Sequence, residues 1–164
     1  MSGGDEKRRF KDAIGNFATG VCVVTAIAEG GLPTGMTANA IASLSLDPLL
    51  MIVCFDKTAR TRVAAQRSGR VGVNVLAAGQ EDISKVFASK ASEAEKFNGV
   101  AWRECAGAPV IEGSVAWFVG ELTELLPGGD HEIGIVAVRE FGADGGEPLL
   151  YWQGAYGRIL GERP

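Results

Sequence analysis

Hydrophobic residues recur at helical spacing near the start of the chain. Phe10, Ile14 and Phe17 stand at i, i+4 and i+7 with charged residues on the other faces, which predicts a helix that packs through one apolar stripe. The segments predicted as helices are 5–18, 56–66 and 80–89, and the second of them has a threonine or aspartate near its N-cap. Residues 1–8 are expected to form a flexible N-terminal tail.

Runs rich in β-branched and other apolar residues, separated by glycine-containing turns, predict strands. The predicted strands are 21–27, 35–48 together with its exit loop, 49–55, 71–76, 110–119, 122–126, 133–141 and 149–159. The 23 glycines are roughly twice the usual share, which fits many turns between short strands. We therefore expect one mainly β domain over residues 1–164, a closed antiparallel barrel with a few helices at its ends, because closure removes exposed edges.

Composition excludes several classes of function. The net charge is -4 and the pI is near 5.1, which leaves no electrostatic footprint for nucleic acid. The charged opening residues precede no apolar segment and no apolar run is long enough to span a membrane, so we expect a cytoplasmic protein. Cys22, Cys54 and Cys105 are widely spaced without a CxxC or paired histidines, which predicts reduced thiols and no metal site.

The most informative segment is the run 35–48, which is uncharged until Asp47 yet rich in hydroxyl and amide groups. Its short side chains leave the backbone accessible to a flat ligand with polar edges; they are Thr37, Ala38, Asn39, Ser43 and Ser45. The alternative is a buried strand whose hydroxyls bond to neighbouring backbone.

A second candidate site lies at 54–61, where a buried strand leads directly into a predicted helix start. Lys57, Thr58, Arg60 and Thr61 place cations and hydroxyls in this turn, and a helix N-terminus attracts anions. The segment therefore predicts a phosphate site, although no glycine-rich phosphate loop accompanies it. The alternative is an N-capped helix with a solvated basic face.

His131 is the only histidine, and it follows a Gly-Gly turn at the entry to an apolar strand, where its ring can point into a cleft. Neighbouring residues on a strand point to opposite faces, so Asp130 and Glu132 predict no ready acid/base pair. No serine stands in a nucleophile-elbow setting, so no catalytic triad is predicted. A structural or exposed histidine is the alternative.

In their order along the chain, these segments resemble the short-chain flavin reductases that serve as reductase components of two-component flavin-dependent monooxygenases, within the FMN-binding split-barrel superfamily. The likeness covers residues 10–160. The motifs that carry it are Phe17-Ala18-Thr19-Gly20-Val21, Gly35-Met36-Thr37-Ala38-Asn39, Ser43-Leu44-Ser45-Leu46-Asp47-Pro48, Lys57-Thr58 before Thr61, Val73-Asn74-Val75-Leu76, Gly129-Asp130-His131, and Pro148-Leu149-Leu150-Tyr151 with Gly154 and Tyr156.

The resemblance implies an antiparallel Greek-key split β-barrel with a few flanking helices, a homodimer, and use of FAD or FMN with NADH or NADPH. It implies that 35–45 and 74–76 line the isoalloxazine ring, that the 57–61 turn holds the flavin phosphate, and that His131 lies beside the nicotinamide as the catalytic residue. The cofactor-binding residues expected are Met36, Thr37, Ala38, Asn39, Ser43, Ser45, Cys54, Phe55, Asp56, Lys57, Thr58, Thr61, Asn74, Val75, Leu76 and Tyr156.

The implied reaction is hydride transfer from C4 of reduced nicotinamide to N5 of oxidised flavin. The reduced flavin then leaves for a partner monooxygenase. His131 is expected to orient the nicotinamide rather than to shuttle protons. A barrel this small has little free interior, so the flavin is expected at a dimer groove. Two alternatives remain open: a split-barrel protein with permanently bound FMN that acts on another small substrate, and a flavin- or haem-binding module without catalysis.

Overall fold

The computed structural model describes residues 3–160, and its largest sheet has seven antiparallel strands in the order β3-β2-β6-β9-β10-β5-β4. The strands are β1 Thr19–Gly20, β2 Cys22–Ile27, β3 Pro33–Ala38, β4 Ile41–Leu46, β5 Leu49–Asp56, β6 Arg70–Val75, β7 Trp102–Cys105, β8 Ala108–Ile111, β9 Ala116–Gly128, β10 His131–Ala143, β11 Leu150–Trp152 and β12 Ala155–Gly157. The α-helices are α1 Gly3–Ile14, α2 Arg60–Ser68, α3 Glu81–Ala88 and α4 Glu93–Phe97, and a 3-10 turn covers Glu29–Gly31.

The large sheet curls on itself without closing. Inward-facing side chains from strands along its whole width, among them Val24, Val53, Val73 and Val136, pack in one buried cluster. The end strands β3 and β4 are joined by a two-residue link, yet within residues 3–160 no ladder pairs them. The expectation of a closed barrel is therefore wrong, and the mainly β split barrel implied by the resemblance is confirmed.

Strand β2 shows why the core has two parts. Five of its six residues are buried in succession, because the barrel core covers one face while a second cluster under α3 and α4 covers the other. That second cluster contains Val23, Phe87 and Phe97. By contrast β5 alternates, with Met51, Val53 and Phe55 directed into the barrel. The helices α3 and α4 are thus held beside the edge strand β3.

The first helix ends at Ile14 instead of at the predicted residue 18, so Phe17 lies beyond it, and the helix differs from its prediction in two further ways. It begins at Gly3, so residues 3–8 are helical rather than a flexible tail, whereas residues 1 and 2 lie outside the described part. Its apolar stripe does not pack: Phe10, Ile14 and Phe17 are 69%, 54% and 71% exposed, and no residue of α1 is buried. The spacing predicted the helix, but within one described chain no surface covers its apolar face.

Several other bounds were mispredicted. The run 35–48 forms parts of two strands, and β9 runs on from 116 to 128, while a turn at Glu112-Gly113 interrupts the strand predicted at 110–119. Helix α2 starts at Arg60, and its N-cap Ala59 has no capping side chain. Strand β7 and helix α4 were not predicted. No helix among residues 3–160 is both long and apolar enough to cross a lipid bilayer.

Candidate functional site

A cleft of about 550 Å³ lies beside the edge strand β3. One wall is the uncharged end of β3 with its link to β4, residues 35–40, and a second is the end of β5 with the start of α2. The third wall is the segment from the end of α3 into α4, residues 87–96, and His131 lies at the edge. The cleft therefore joins an uncharged strand edge, a helix N-terminus and the chain's only histidine.

Nine of the sequence-predicted site residues line this cleft, although they come from three separate segments of the chain. They are Met36, Thr37, Ala38, Asn39, Cys54, Asp56, Thr58, Thr61 and His131. The structure thus brings the uncharged run, the predicted phosphate turn and the histidine into one place. What each of these residues binds stays a prediction.

Three predicted site residues are buried in the core instead. Phe55, Asn74 and Leu76 are each 0% exposed, so the interpretation of them as direct flavin contacts is corrected. The Asn74 amide donates to the carbonyl oxygen of Val23 at 3.1 Å, and its Oδ1 accepts from the N–H of Ile111 at 2.8 Å. Its polar groups are satisfied by backbone, as buried amides in proteins usually are.

The remaining predicted residues lie outside the cleft. Lys57 is turned away from it, and Ser43, Ser45 and Val75 do not line it. Tyr156 lines a smaller pocket of about 230 Å³ that shares residues 37–39 with the cleft, and its hydroxyl lies 2.9 Å from the Oγ of Ser84. A role for these residues in flavin binding stays a prediction that the cleft itself does not support.

At the start of α2 the hydroxyls already have protein partners. Thr58 donates to Asp56 Oδ1 through its N–H at 2.7 Å and through its hydroxyl at 2.6 Å, which holds the pKa of Asp56 below its ordinary value. The hydroxyls of Thr61 and Thr34 are 3.1 Å apart and both residues are buried. If Thr34 donates within this pair, the Thr61 proton stays free for a ligand. Since Ala59 provides no side-chain cap, the first N–H groups of α2 can also bind an anion.

The sequence reasoning missed a charged cluster in the third wall. Glu93 Oε2 accepts from the N–H of Gly35 at 3.0 Å, and Lys96 Nζ donates to the carbonyl of the same residue at 3.0 Å. Arg60 reaches Glu93 Oε1 at 3.0 Å and also donates to the carbonyl of Ala91. Lys96 is only 5% exposed, and burial lowers its pKa, helped by Arg60 and opposed by Glu93. The cluster therefore binds α4 to the backbone of Gly35, and Arg60 links α2 to α4 through Glu93.

His131 pairs with a carboxylate that was not expected to reach it. Its Nδ1 is 2.8 Å from Asp130 Oδ1, a contact that lowers the pKa of Asp130. The expectation of no such pair is wrong because Asp130 lies in the turn before β10, where the alternation of strand side chains does not apply. The His131 side chain remains half exposed at the edge of the cleft.

Solved flavin reductases share this split-barrel fold, and the comparison of sequences identifies the same class of protein. The family described as "Flavin reductase like domain" matches residues 14–160, and the chain belongs to this family. The reductase subunit HsaB of a flavin-dependent monooxygenase from Mycobacterium tuberculosis is 38% identical over 167 residues, covering 99% of this chain and 88% of that protein.

Other relatives agree. A probable flavin reductase from Rhizobium meliloti is 40% identical over 152 residues, covering 92% of this chain but only 48% of its own length, so this chain spans about half of that relative. The crystal structure of a nitrilotriacetate monooxygenase component B homologue from Mycobacterium thermoresistibile superposes with a TM-score of 0.92 at 34% identity, covering 97% of this chain and 89% of that chain. An NADH:FAD oxidoreductase from Streptomyces globisporus, solved with NAD and FAD fragments, gives 0.87 at 32% identity over 98% and 96% of the two chains.

Proposed function

We propose that the protein is an NAD(P)H:flavin oxidoreductase that reduces FAD or FMN and supplies the reduced flavin to a partner monooxygenase. The observation that carries this proposal is the cleft where the uncharged edge of β3, the open N-terminus of α2 and His131 meet. Membership of the flavin reductase family supports it. A cytoplasmic location is part of the proposal, supported by Cys22, Cys54 and Cys105, which are free thiols.

The cleft fits a flavin at both of its ends. Among residues 3–160, the end strand β3 pairs only with β2, so alternate backbone groups on its other edge have no ladder partner there. The N–H and C=O of Gly35 point outward to Glu93 and Lys96, and by the two-residue period those of Thr37 point the same way. The Thr37 side chain donates to the carbonyl of Ser84 at 2.6 Å, so its backbone is what remains for the polar edge of a flat ring.

A bound flavin supplies an N5 atom that accepts hydride from reduced nicotinamide. The protein's part is to align the two rings and to offer donors where negative charge grows on reduction. Backbone N–H groups at the edge of β3 serve that purpose without an ionisable side chain. At the other end, Arg60 and the first N–H groups of α2 favour the flavin phosphate.

The proposed role of His131 is to orient the nicotinamide. Because Asp130 contacts Nδ1, the other ring nitrogen, Nε2, is left to bind a ligand. We expect His131→Ala to raise the KM for NADH. If both the KM and the turnover number were unchanged, this role would be wrong.

The proposed role of Thr58 and Thr61 is to hold the flavin phosphate. The test compares FMN with riboflavin, which lacks the phosphate, by equilibrium titration. We expect the wild type to prefer FMN, and Thr61→Ala to bind FMN more weakly while riboflavin binding stays the same. Equal affinities for the two flavins, with no loss in the variant, would refute the assignment.

We also propose that the protein is a homodimer, as the resemblance implies. Phe10, Ile14 and Phe17 on and just after α1 are exposed, as is Trp152, and a hollow of about 600 Å³ is lined by residues of both α1 and the β11–β12 turn. A second copy of this chain is the proposed cover for this apolar surface. Sedimentation is expected to give a dimer for the wild type and a monomer for the double variant F10S/F17S. A monomeric wild type would contradict the proposal.

The function is tested by following NAD(P)H oxidation optically with FAD, FMN and riboflavin in turn. Rapid oxidation that depends on added flavin is expected, and the same data give both nucleotide and flavin preferences. A purified protein that is yellow and inert toward added flavin would favour a permanently bound FMN acting on another substrate. No oxidation with any flavin would indicate a binding module without catalysis.

A further inference from the structure

Lys57 contacts the turn before His131 instead of the cleft. Its neighbours Asp56 and Thr58 line the cleft, but Lys57 does not. Its Nζ donates to the carbonyl of Gly129 at 2.7 Å, and its backbone N–H donates to the carbonyl of Asp130 at 3.2 Å. One residue therefore binds two consecutive peptide carbonyls of the β9–β10 turn.

The β9–β10 turn lies where the sheet stops supporting it. His131 is the first residue of β10 and pairs with Asp56, the last residue of β5, so the β5–β10 ladder ends at this pair. The preceding Gly129 has a φ of +73°, a conformation that glycine adopts without strain, and Gly128 precedes it. Lys57 follows Asp56 directly in the chain and extends the attachment of β10 to the β5–α2 segment beyond the end of the ladder.

The position of this turn decides where the histidine lies. The Asp130 carboxylate holds the His131 ring at Nδ1, while the Asp130 carbonyl is held by the N–H of Lys57. A shift of the turn therefore moves both the imidazole and the carboxylate that orients it. Because its amine binds the carbonyl of Gly129, the Lys57 side chain does not contribute its charge at the N-terminus of α2.

We propose that Lys57 is a positioning residue for His131 and not a ligand of the flavin phosphate. It fixes the Gly129–Asp130 peptide units and, through them, the imidazole at the edge of the cleft. The inference rests on the proposed function, in which His131 orients the nicotinamide.

The kinetic test uses Lys57→Met, which removes the amine donor, and Arg67→Met as a control for the loss of one charge. Arg67 is an exposed cation of α2 that pairs with exposed Glu29 and does not line the cleft. In Lys57→Met the KM for NADH is expected to rise roughly three- to tenfold, the loss of about one hydrogen bond, with unchanged affinity for FMN and riboflavin. In a His131→Ala background the same substitution is expected to add nothing.

Three results would overturn the proposal: weaker FMN binding in Lys57→Met, an unchanged KM for NADH, or a KM increase of equal size in the His131→Ala background. An independent readout uses the proton NMR signals of His131, which are unambiguous in untagged protein because the chain has one histidine. At about 1 M salt, where the Debye length is about 3 Å, Lys57→Met is expected to shift them and Arg67→Met to leave them unchanged. Unshifted His131 signals in Lys57→Met would also overturn the proposal. If the wild type did not reduce flavin but Lys57→Met still shifted the His131 signals, only the proposed function would be refuted.

Discussion

Gly35 lies at a point of the cleft wall where a side chain does not fit. A Cβ placed there would meet Phe87 Cε1 at 2.6 Å, Phe87 Cδ1 at 2.7 Å and Val23 Cγ1 at 3.4 Å. Phe87 is 1% exposed and packs edge-on against Phe97, so its ring has little room to move. The strand is also held from α4, because Glu93 binds the N–H of Gly35. The substitution Gly35→Ala must therefore displace a fixed ring or a fixed strand.

The expected cost follows from these contacts. Overpacking a tightly packed core costs about 1–3 kcal/mol. Replacing glycine by alanine offsets about 0.4–1 kcal/mol of this, because the unfolded chain loses conformational freedom. We expect Gly35→Ala to lower the free energy of unfolding by about 1–2 kcal/mol. Since Gly35 and Phe87 both line the cleft, flavin affinity is expected to fall as well.

The assay is urea denaturation together with a flavin titration by fluorescence. Gly20→Ala is the matched control, because a Cβ at Gly20 meets no atom of the described part of the chain within 4 Å. It is expected to leave stability unchanged or raise it by up to about 1 kcal/mol. A Gly35→Ala variant as stable as the wild type, with unchanged flavin affinity, would refute the packing argument. Equal destabilisation of both variants would refute it too.

Three further predictions concern buried groups. Asn74→Ala leaves two backbone partners unpaired and is expected to lower the free energy of unfolding by about 2–4 kcal/mol. The KM of the folded variant for NADH is expected to be unchanged. A raised KM with little loss of stability would contradict the role of Asn74 in the core. Burial raises the pKa of Cys22 from 9.0 to about 12, so the unfolded state alone ionises between these values, and stability is expected to fall by about 1.4 kcal/mol per pH unit above pH 9. In Cys22→Ala this fall in stability above pH 9 is expected to be absent. If stability fell equally with pH in both proteins, the contribution of Cys22 would be excluded. Lys96→Met removes a buried charged donor from the carbonyl of Gly35 and is expected to lower the free energy of unfolding, measured with urea, by about 1.5–3 kcal/mol. Unchanged stability would show that the hydrogen bond from Lys96 to Gly35 contributes nothing.

The predicted parts of the site come from segments whose local pattern is strong. The apolar runs at 49–55 and 71–76 predict the strands β5 and β6, and the uncharged run from Gly35 is visible in the sequence without knowledge of what packs beside it. These segments reach one cleft because the barrel brings the ends of β3 and β5 beside α2. The local patterns predicted a mainly β domain but a closed barrel, which is wrong; the split barrel and the flavin reductase family were predicted only by the resemblance of the ordered motifs.

The missed wall of the cleft had a weaker signal. Helix α4 has five residues, too few for a hydrophobic period to be visible. The available signal was the Ser92-x-x-Glu95 capping box, in which both reciprocal hydrogen bonds are present. That signal predicts a helix start, but it does not predict that Glu93 and Lys96 reach Gly35, since this depends on packing distant in sequence.

Asn74 and the first helix show two limits of sequence patterns. A polar residue in an apolar strand needs a partner, and the sequence does not say whether this is a ligand or backbone; the β8 strand that binds Asn74 was predicted only in part. The stripe at Phe10 and Phe17 predicts an apolar face, but not what covers it. Both answers depend on tertiary or quaternary packing.

The most direct test of the central claim is a single turnover without oxygen. Protein, oxidised flavin and a limiting amount of NADH are mixed anaerobically, and the absorbances of NADH and oxidised flavin are followed together. The account predicts that both fall in a one-to-one ratio at a rate set by the protein, and more slowly for His131→Ala at subsaturating NADH. Loss of NADH without bleaching of the flavin, or no loss of either, would contradict it.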